Sequence, residues 1–185
     1  MPSLAISQSF GQNLLSLITS GPEPVLPSLE VNTVDEMRRT VNVFADSTFG
    51  NQSSIITIGA HSDSVEAGPG INDNGSGVVG ILAIARALAK FRSVISSSMN
   101  AVRFAFWSAE EFGLLGSKYY LDNLPEDELK KIKAYINCDM LASPNGIYAI
   151  LDGDQSKPLK SPINGTRIPP GSDNIEASFQ RYFTS

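Results

Sequence analysis

Six side chains able to bind a metal or move a proton punctuate this sequence: His61, Asp63, Asp73, Glu110, Glu111 and Asp139. Each alone has an ordinary explanation. A histidine at a strand end is usually a hydrogen-bonded structural residue, Asn72-Asp73-Asn74-Gly75 reads as a turn, Glu110-Glu111 as a helix start favoured by the dipole, and Asp139 as a strand-end cap. Their joint occurrence is what points to chemistry. Carboxylates and an imidazole gathered in an apolar crevice would repel one another, because an unpaired buried charge costs several kcal/mol, and a divalent cation removes that conflict. Mixed imidazole and carboxylate ligands suit zinc. A carboxylate that bridges two ions would make a two-metal hydrolytic site, with the ions about 3.5–4 Å apart. At such a site zinc lowers the pKa of water toward about 7, and a neighbouring Glu110 would assist deprotonation for a further gain of roughly 10²–10⁴.

The elements that must bring these residues together can be read from the hydropathy pattern. Ser54 to Ala60, Ala101 to Trp107 and Ala134 to Asp139 are apolar runs of strand length. His61 and Asp63 follow the first, Glu110 and Glu111 follow the second, and Asp139 ends the third. In open α/β sheets the carboxyl ends of neighbouring strands floor the ligand crevice, so residues far apart in sequence converge there. Asp73 arrives on a glycine-rich loop, Gly68 to Gly77, ahead of an apolar helix over Ser76 to Phe91 that has Asn74 or Ser76 as its N-cap. Further helices are expected over Gly11 to Thr19, Glu111 to Leu121, Pro125 to Lys133 and Asn174 to Phe183. A pair of strands joined by a turn is expected around Leu29 to Thr33 and Val41 to Ala45, and a strand over Ile147 to Leu151. Alternating strands and helices predict an α/β fold: a three-layer sandwich with a central mixed, mostly parallel sheet flanked by helices.

Four segments carry a resemblance to a known family. Gly59-Ala60-His61-Ser62-Asp63-Ser64, Gly70-Ile71-Asn72-Asp73-Asn74-Gly75-Ser76-Gly77, Phe106 to Ser117, and Tyr135-Ile136-Asn137-Cys138-Asp139-Met140 resemble the signature blocks of secreted bacterial and fungal leucine aminopeptidases and of vacuolar aminopeptidase Y. The resemblance implies a co-catalytic two-zinc exopeptidase fold. It implies that His61 and Asp139 bind one zinc, Glu111 binds the other and Asp73 bridges both. Glu110 would be the general base, and Asp63 would hold the His61 ring in its metal-binding tautomer. The family takes a further histidine, for the second zinc, from a later block. His61 is the sole histidine here, so the second site and the C-terminal end of the sheet are expected to be incomplete. Residues 1–35 resemble the end of a protease-associated domain followed by a linker, ahead of a partial peptidase domain over 36–185.

Bulk properties agree with this reading. The net charge of -5 and the lack of Lys/Arg clusters argue against nucleic acid and anionic membranes as partners. No apolar stretch approaches the roughly 20 residues that span a bilayer, and no signal peptide is visible at the N-terminus. The expected partners are peptides or proteins with a free N-terminus, and the expected state is a monomer. Sequons at Asn51, Asn74 and Asn164 lean toward a secreted or vacuolar setting for the full-length parent. Cys138 reads as a small buried hydrophobe. Two rival readings stay open: a glutaminyl-cyclase-like or carboxypeptidase-like member of the same fold, and an inactive fragment holding a single zinc.

Overall fold

The structure is a computed structural model that describes residues 5–26, 28–34, 36–93, 99–146 and 169–184. It divides into two compact units, Met1–Arg39 and Thr40–Ser185, whereas the sequence reading put the boundary between residues 35 and 36. The expected Ile147 to Leu151 strand and the Asn164 sequon lie outside the described residues.

The described residues of the first unit form one helix, α1 (Gln8–Ser20), none of whose residues is buried. Ser7 caps it by accepting a hydrogen bond from the Phe10 N–H at 3.2 Å. No strand forms at Leu29 to Thr33, so the expected strand pair is absent among the described residues. Alternating side chains are not enough without a neighbour to take the ladder hydrogen bonds.

Among the described residues the second unit is built on four strands, β1 (Val43–Asp46), β2 (Asn51–His61), β3 (Asn100–Trp107) and β4 (Ile132–Asn137). Their order is β1-β3-β2-β4. β2 runs parallel to both β3 and β4, and β1 lies antiparallel on the edge of β3. The sheet is therefore mixed and mostly parallel. β2 starts at Asn51, ahead of the expected Ser54, with a register irregularity between Asn51 and Ile55. Edge strand β1 is pinned by a two-point contact in which Arg103 Nε and Nη2 donate to Asp46 Oδ1 and Oδ2 at 2.7 and 2.8 Å.

Successive side chains of a strand face opposite ways, and here the two faces meet different helices. Ile58, Ala60 and Phe104 form the buried core with Ile81 of α2 (Gly75–Lys90) and with Cys138. On the other face Tyr120, from α3 (Leu115–Asn123), stacks with Phe44 and Trp107 at ring-centroid distances of 4.8 and 5.4 Å. Helices thus cover both faces, giving the expected three layers. α2 reads as apolar on nearly every side, yet only Gly77 and Ile81 are buried, while Val79 and Leu82 are 66% and 46% exposed. A helix seated on one sheet face buries one stripe.

α4 (Glu126–Leu129) is a single turn, shorter than Pro125 to Lys133, because Ile132 already belongs to β4. The last element is α5 (Ser172–Thr184).

Candidate metal centre

Register sets the geometry of the site. His61 pairs with Trp107, and Gly59 pairs with Asn137. The carboxyl ends of the three parallel strands therefore stop at one rim. There His61 is 3% exposed. Its Nε2 lies 3.1 Å from Asp73 Oδ1, 3.4 Å from Asp139 Oδ1 and 3.9 Å from Glu110 Oε2.

The other ring nitrogen shows why this arrangement suits a cation. Nδ1 lies 3.0 Å from the main-chain carbonyl oxygen of Asp63. A carbonyl can only accept, so in the neutral ring the proton belongs on Nδ1 and the Nε2 lone pair faces three carboxylates. Lone pairs facing lone pairs at such distances repel. Ligand atoms about 2.0–2.2 Å from a tetrahedral zinc would themselves lie roughly 3.3–3.6 Å apart, close to the Asp73 and Asp139 separations. A second observation agrees: Glu111 Oε1 is buried and has no hydrogen-bond partner, a costly state that a metal ion would relieve. The residues fit the metal on both counts.

The candidate ligand atoms form two overlapping groups, His61 with Asp73 and Asp139, and His61 with Glu110 and Glu111, the atoms of each lying within 4.8 Å of one another. All five residues meet at one rim. Asp73 and Glu111 fall in different groups.

Asp63 does more than orient the ring. Its carboxylate accepts from the backbone N–H groups of Glu110 at 3.0 Å and Glu111 at 3.2 Å, while Oδ1 sits 3.6 Å from His61 Nδ1. The ring contact within hydrogen-bond distance is thus the carbonyl, and the carboxylate anchors the turn that carries both glutamates. That turn replaces the first part of the expected Glu111 to Leu121 helix. Ala109 (φ 53°) and Leu114 (φ 62°) are left-handed, as is Gly113 (φ 99°), and for a side-chain-bearing residue this costs about 1–2 kcal/mol. Asn42 closes it by donating to Gly116 O at 2.8 Å and accepting from Ser108 N at 3.1 Å.

Electrostatics follow the crowding. Burial opposes a charge on His61, but the Asp139 and Glu110 carboxylates and the Asp63 carbonyl outweigh it, and the metal-free imidazole titrates above its ordinary value. Glu110 is also pushed up, first by burial and then, against the pull of His61, by Glu111 and Asp139. A carboxyl raised in this way is a better proton acceptor. Burial pushes the Cys138 thiol up as well, which disfavours the reactive thiolate. Tyr135 is occupied: its hydroxyl accepts from Trp107 Nε1 at 2.8 Å and donates to Asn137 Oδ1 at 2.7 Å.

The sequence marks Asn74 as a helix cap and as a sequon, with no role at the site. It does cap α2, accepting from Gly77 N at 3.0 Å. It also reaches the strand-end segment around Asp139, donating to Cys138 O at 3.0 Å and accepting from Met140 N at 3.2 Å. No local signal marks these two bonds, because Cys138 and Met140 lie more than sixty positions away. The same three bonds commit the amide of the Asn74 sequon, whereas Asn51 is exposed.

Comparison with known proteins follows the same lines. The sequence profile of peptidase family M28 matches residues 42–183. Leucine aminopeptidase 2 of Trichophyton equinum is 48% identical over 183 residues, 99% of this chain and 34% of that protein. A probable leucine aminopeptidase 2 of Aspergillus fumigatus is 46% identical over 184 residues, again 34% of its length. The chain thus spans about a third of the length of the curated relatives it matches. Among solved structures, a zinc aminopeptidase from Bacillus subtilis aligns with a TM-score of 0.48 and 42% identity, over 54% of this chain and 24% of that one.

Proposed function

The chain belongs to peptidase family M28, and from that premise we propose that it forms the metal-binding core of a zinc-dependent exopeptidase that removes N-terminal residues from peptides. The observation that carries this reading is the convergence of Asp73, Glu110 and Asp139 oxygens on Nε2 of buried His61.

His61, Asp73 and Asp139 would hold one zinc, and Glu111, sharing Asp73, would contribute to a second. When bound, zinc polarises a carbonyl and acidifies water. Glu110 would take a proton from the attacking water as its oxygen bonds to the scissile carbonyl carbon, and would deliver that proton to the amine nitrogen as the C–N bond breaks, a role suited to a carboxyl whose proton affinity burial has raised. Asp63 positions both glutamates through their backbone N–H groups. The carboxylates around the site favour a cationic N-terminus over an internal peptide bond. In this reading the substrates are peptides or proteins with a free N-terminus, and the full-length protein is a secreted or vacuolar monomer.

The sole histidine supports a narrower reading for this chain alone, one ion held by His61, Asp73 and Asp139. Metal stoichiometry separates the two. Purified chain should carry zinc, and Asp73→Ala should lose it. Glu110→Ala should keep the metal and release leucine from a chromogenic amide about 10²–10⁴-fold more slowly. Absence of zinc from the wild-type chain, or its full retention by Asp73→Ala, would sink the proposal. One ion without turnover would favour the narrower reading.

A further inference from the structure

Asn74 sits directly after Asp73 and is 2% exposed, the only polar residue among the largest fully buried side chains described. Its three hydrogen bonds do not all serve one element. One caps α2, and the other two seize the backbone on either side of Asp139, at Cys138 O and Met140 N. Asp73 and Asp139 come from a loop and from a strand end that are not adjacent in sequence. A single rigid amide spans the gap between their backbones.

The flanking residue on the other side repeats the device. Asn72 accepts from Ala142 N at 3.2 Å and donates to Ser143 Oγ at 3.1 Å. Asp73 is therefore clasped from both neighbours to the segment that carries Asp139. Met140 itself stands at φ 52°, a conformation that side-chain-bearing residues rarely adopt. Its N–H is directed at Asn74 Oδ1, so the clasp also fixes the turn that ends β4.

We propose that Asn74 is a positioning residue of the metal centre, which sets the separation of the Asp73 and Asp139 carboxylates and thereby the affinity for the ion between them. The inference rests on the metal-site reading above. Its physical basis is that a site with ligands on two independent segments binds tightly only when those segments are held in register before the ion arrives. Asn74 touches neither substrate nor reacting atoms.

The test uses the intact chain and Asn74→Ser. Serine keeps an N-cap for α2 and adds no charge, but it is too short to reach Cys138 O or Met140 N. Ile81→Ala, in the core face of the same helix, serves as a control that destabilises without touching the clasp. Cobalt binding is followed by its visible absorption band, and zinc affinity by competition with a chromophoric chelator, well below the melting temperature. Asn74→Ser should bind both ions at least tenfold more weakly and shift the cobalt band. Ile81→Ala should melt lower yet bind as the wild type does.

Wild-type affinity and an unchanged band in Asn74→Ser would overturn the proposal. So would an equal loss of affinity in Ile81→Ala, which would make the effect one of stability alone. Should Asn74→Ser fail to fold, Asn72→Ala opens the other half of the clasp. It should also lower affinity, and unchanged binding there would count against the inference. A wild-type chain that binds no metal would overturn the functional reading and this inference together, whereas normal wild-type binding with an unaffected Asn74→Ser sinks only the latter.

Discussion

At the scale of single residues, the site shows how one residue can hold two others through different atoms. Asp63 offers its carbonyl to His61 and its carboxylate to the N–H groups of Glu110 and Glu111. The negative charge of Asp63 is thus spent on orienting a turn, and its backbone on choosing a tautomer. Asp63→Asn changes only the first of these. Its amide would set an N–H₂ against one of the glutamate N–H groups and tilt the turn. Zinc affinity should fall about 10–100-fold, the range seen when groups supporting metal ligands are altered, with the fold retained by circular dichroism. An unchanged affinity would assign the glutamate turn to its left-handed residues and to Asn42 alone.

At the scale of elements, the parallel strands work as a ruler. β2, β3 and β4 end at one rim because their ladders fix His61 opposite Trp107 and Gly59 opposite Asn137. Gly59 leaves room on the face toward α3 for the bond between Trp107 and Tyr135. A Cβ placed at Gly59 would lie 2.5 Å from the Tyr135 hydroxyl and 2.6 Å from Trp107 Nε1. Gly59→Ala must therefore separate that pair or bend β2. Overpacking of this kind costs about 1–3 kcal/mol. Trp107 is the sole tryptophan, so its fluorescence reports the change directly. A shifted emission together with a lower melting temperature is expected, and a spectrum identical to wild type would show that the rings never made that contact.

At the scale of the whole molecule, metal, protons and folding are coupled. His61 and Glu110 both hold a proton more tightly in the metal-free fold than at their ordinary values of 6.5 and 4.5. A raised pKa contributes stability that is complete below the unfolded value and is lost as pH rises through the folded one. The metal-free chain should therefore lose this contribution over the interval in which pH climbs past 4.5, for Glu110, and then past 6.5, for His61. Zinc bound at this cluster would compete for the same positions and release protons. The rise in melting temperature produced by zinc should accordingly grow across that interval. Paired melts with and without zinc, taken at several pH values, test both signs, and an increment independent of pH would mean that zinc is not displacing protons from this cluster.

Much of this protein was legible without coordinates. The apolar runs that became β2, β3 and β4 are of strand length, the first of them rich in β-branched residues, so local pattern located them to within a few residues at each end. The five residues that meet at the rim were readable for the same reason, since each directly follows a strand or the loop that leads into α2. What local pattern could not decide was anything that depends on a distant partner. Leu29 to Thr33 has a strand pattern but no ladder, whereas Val43–Asp46 becomes a strand by pairing antiparallel with β3, almost sixty positions away. Glu111 belongs to a turn and not to a helix because Asp63 and Asn42 claim its backbone and its neighbours. The clasp at Asn74 is invisible in the sequence because an amide's hydrogen bonds depend on which chain segments pass within about 3 Å of it. The kinds of chemistry available were set by residue type and spacing, and the tertiary structure alone decided which lone pairs face one another across the site.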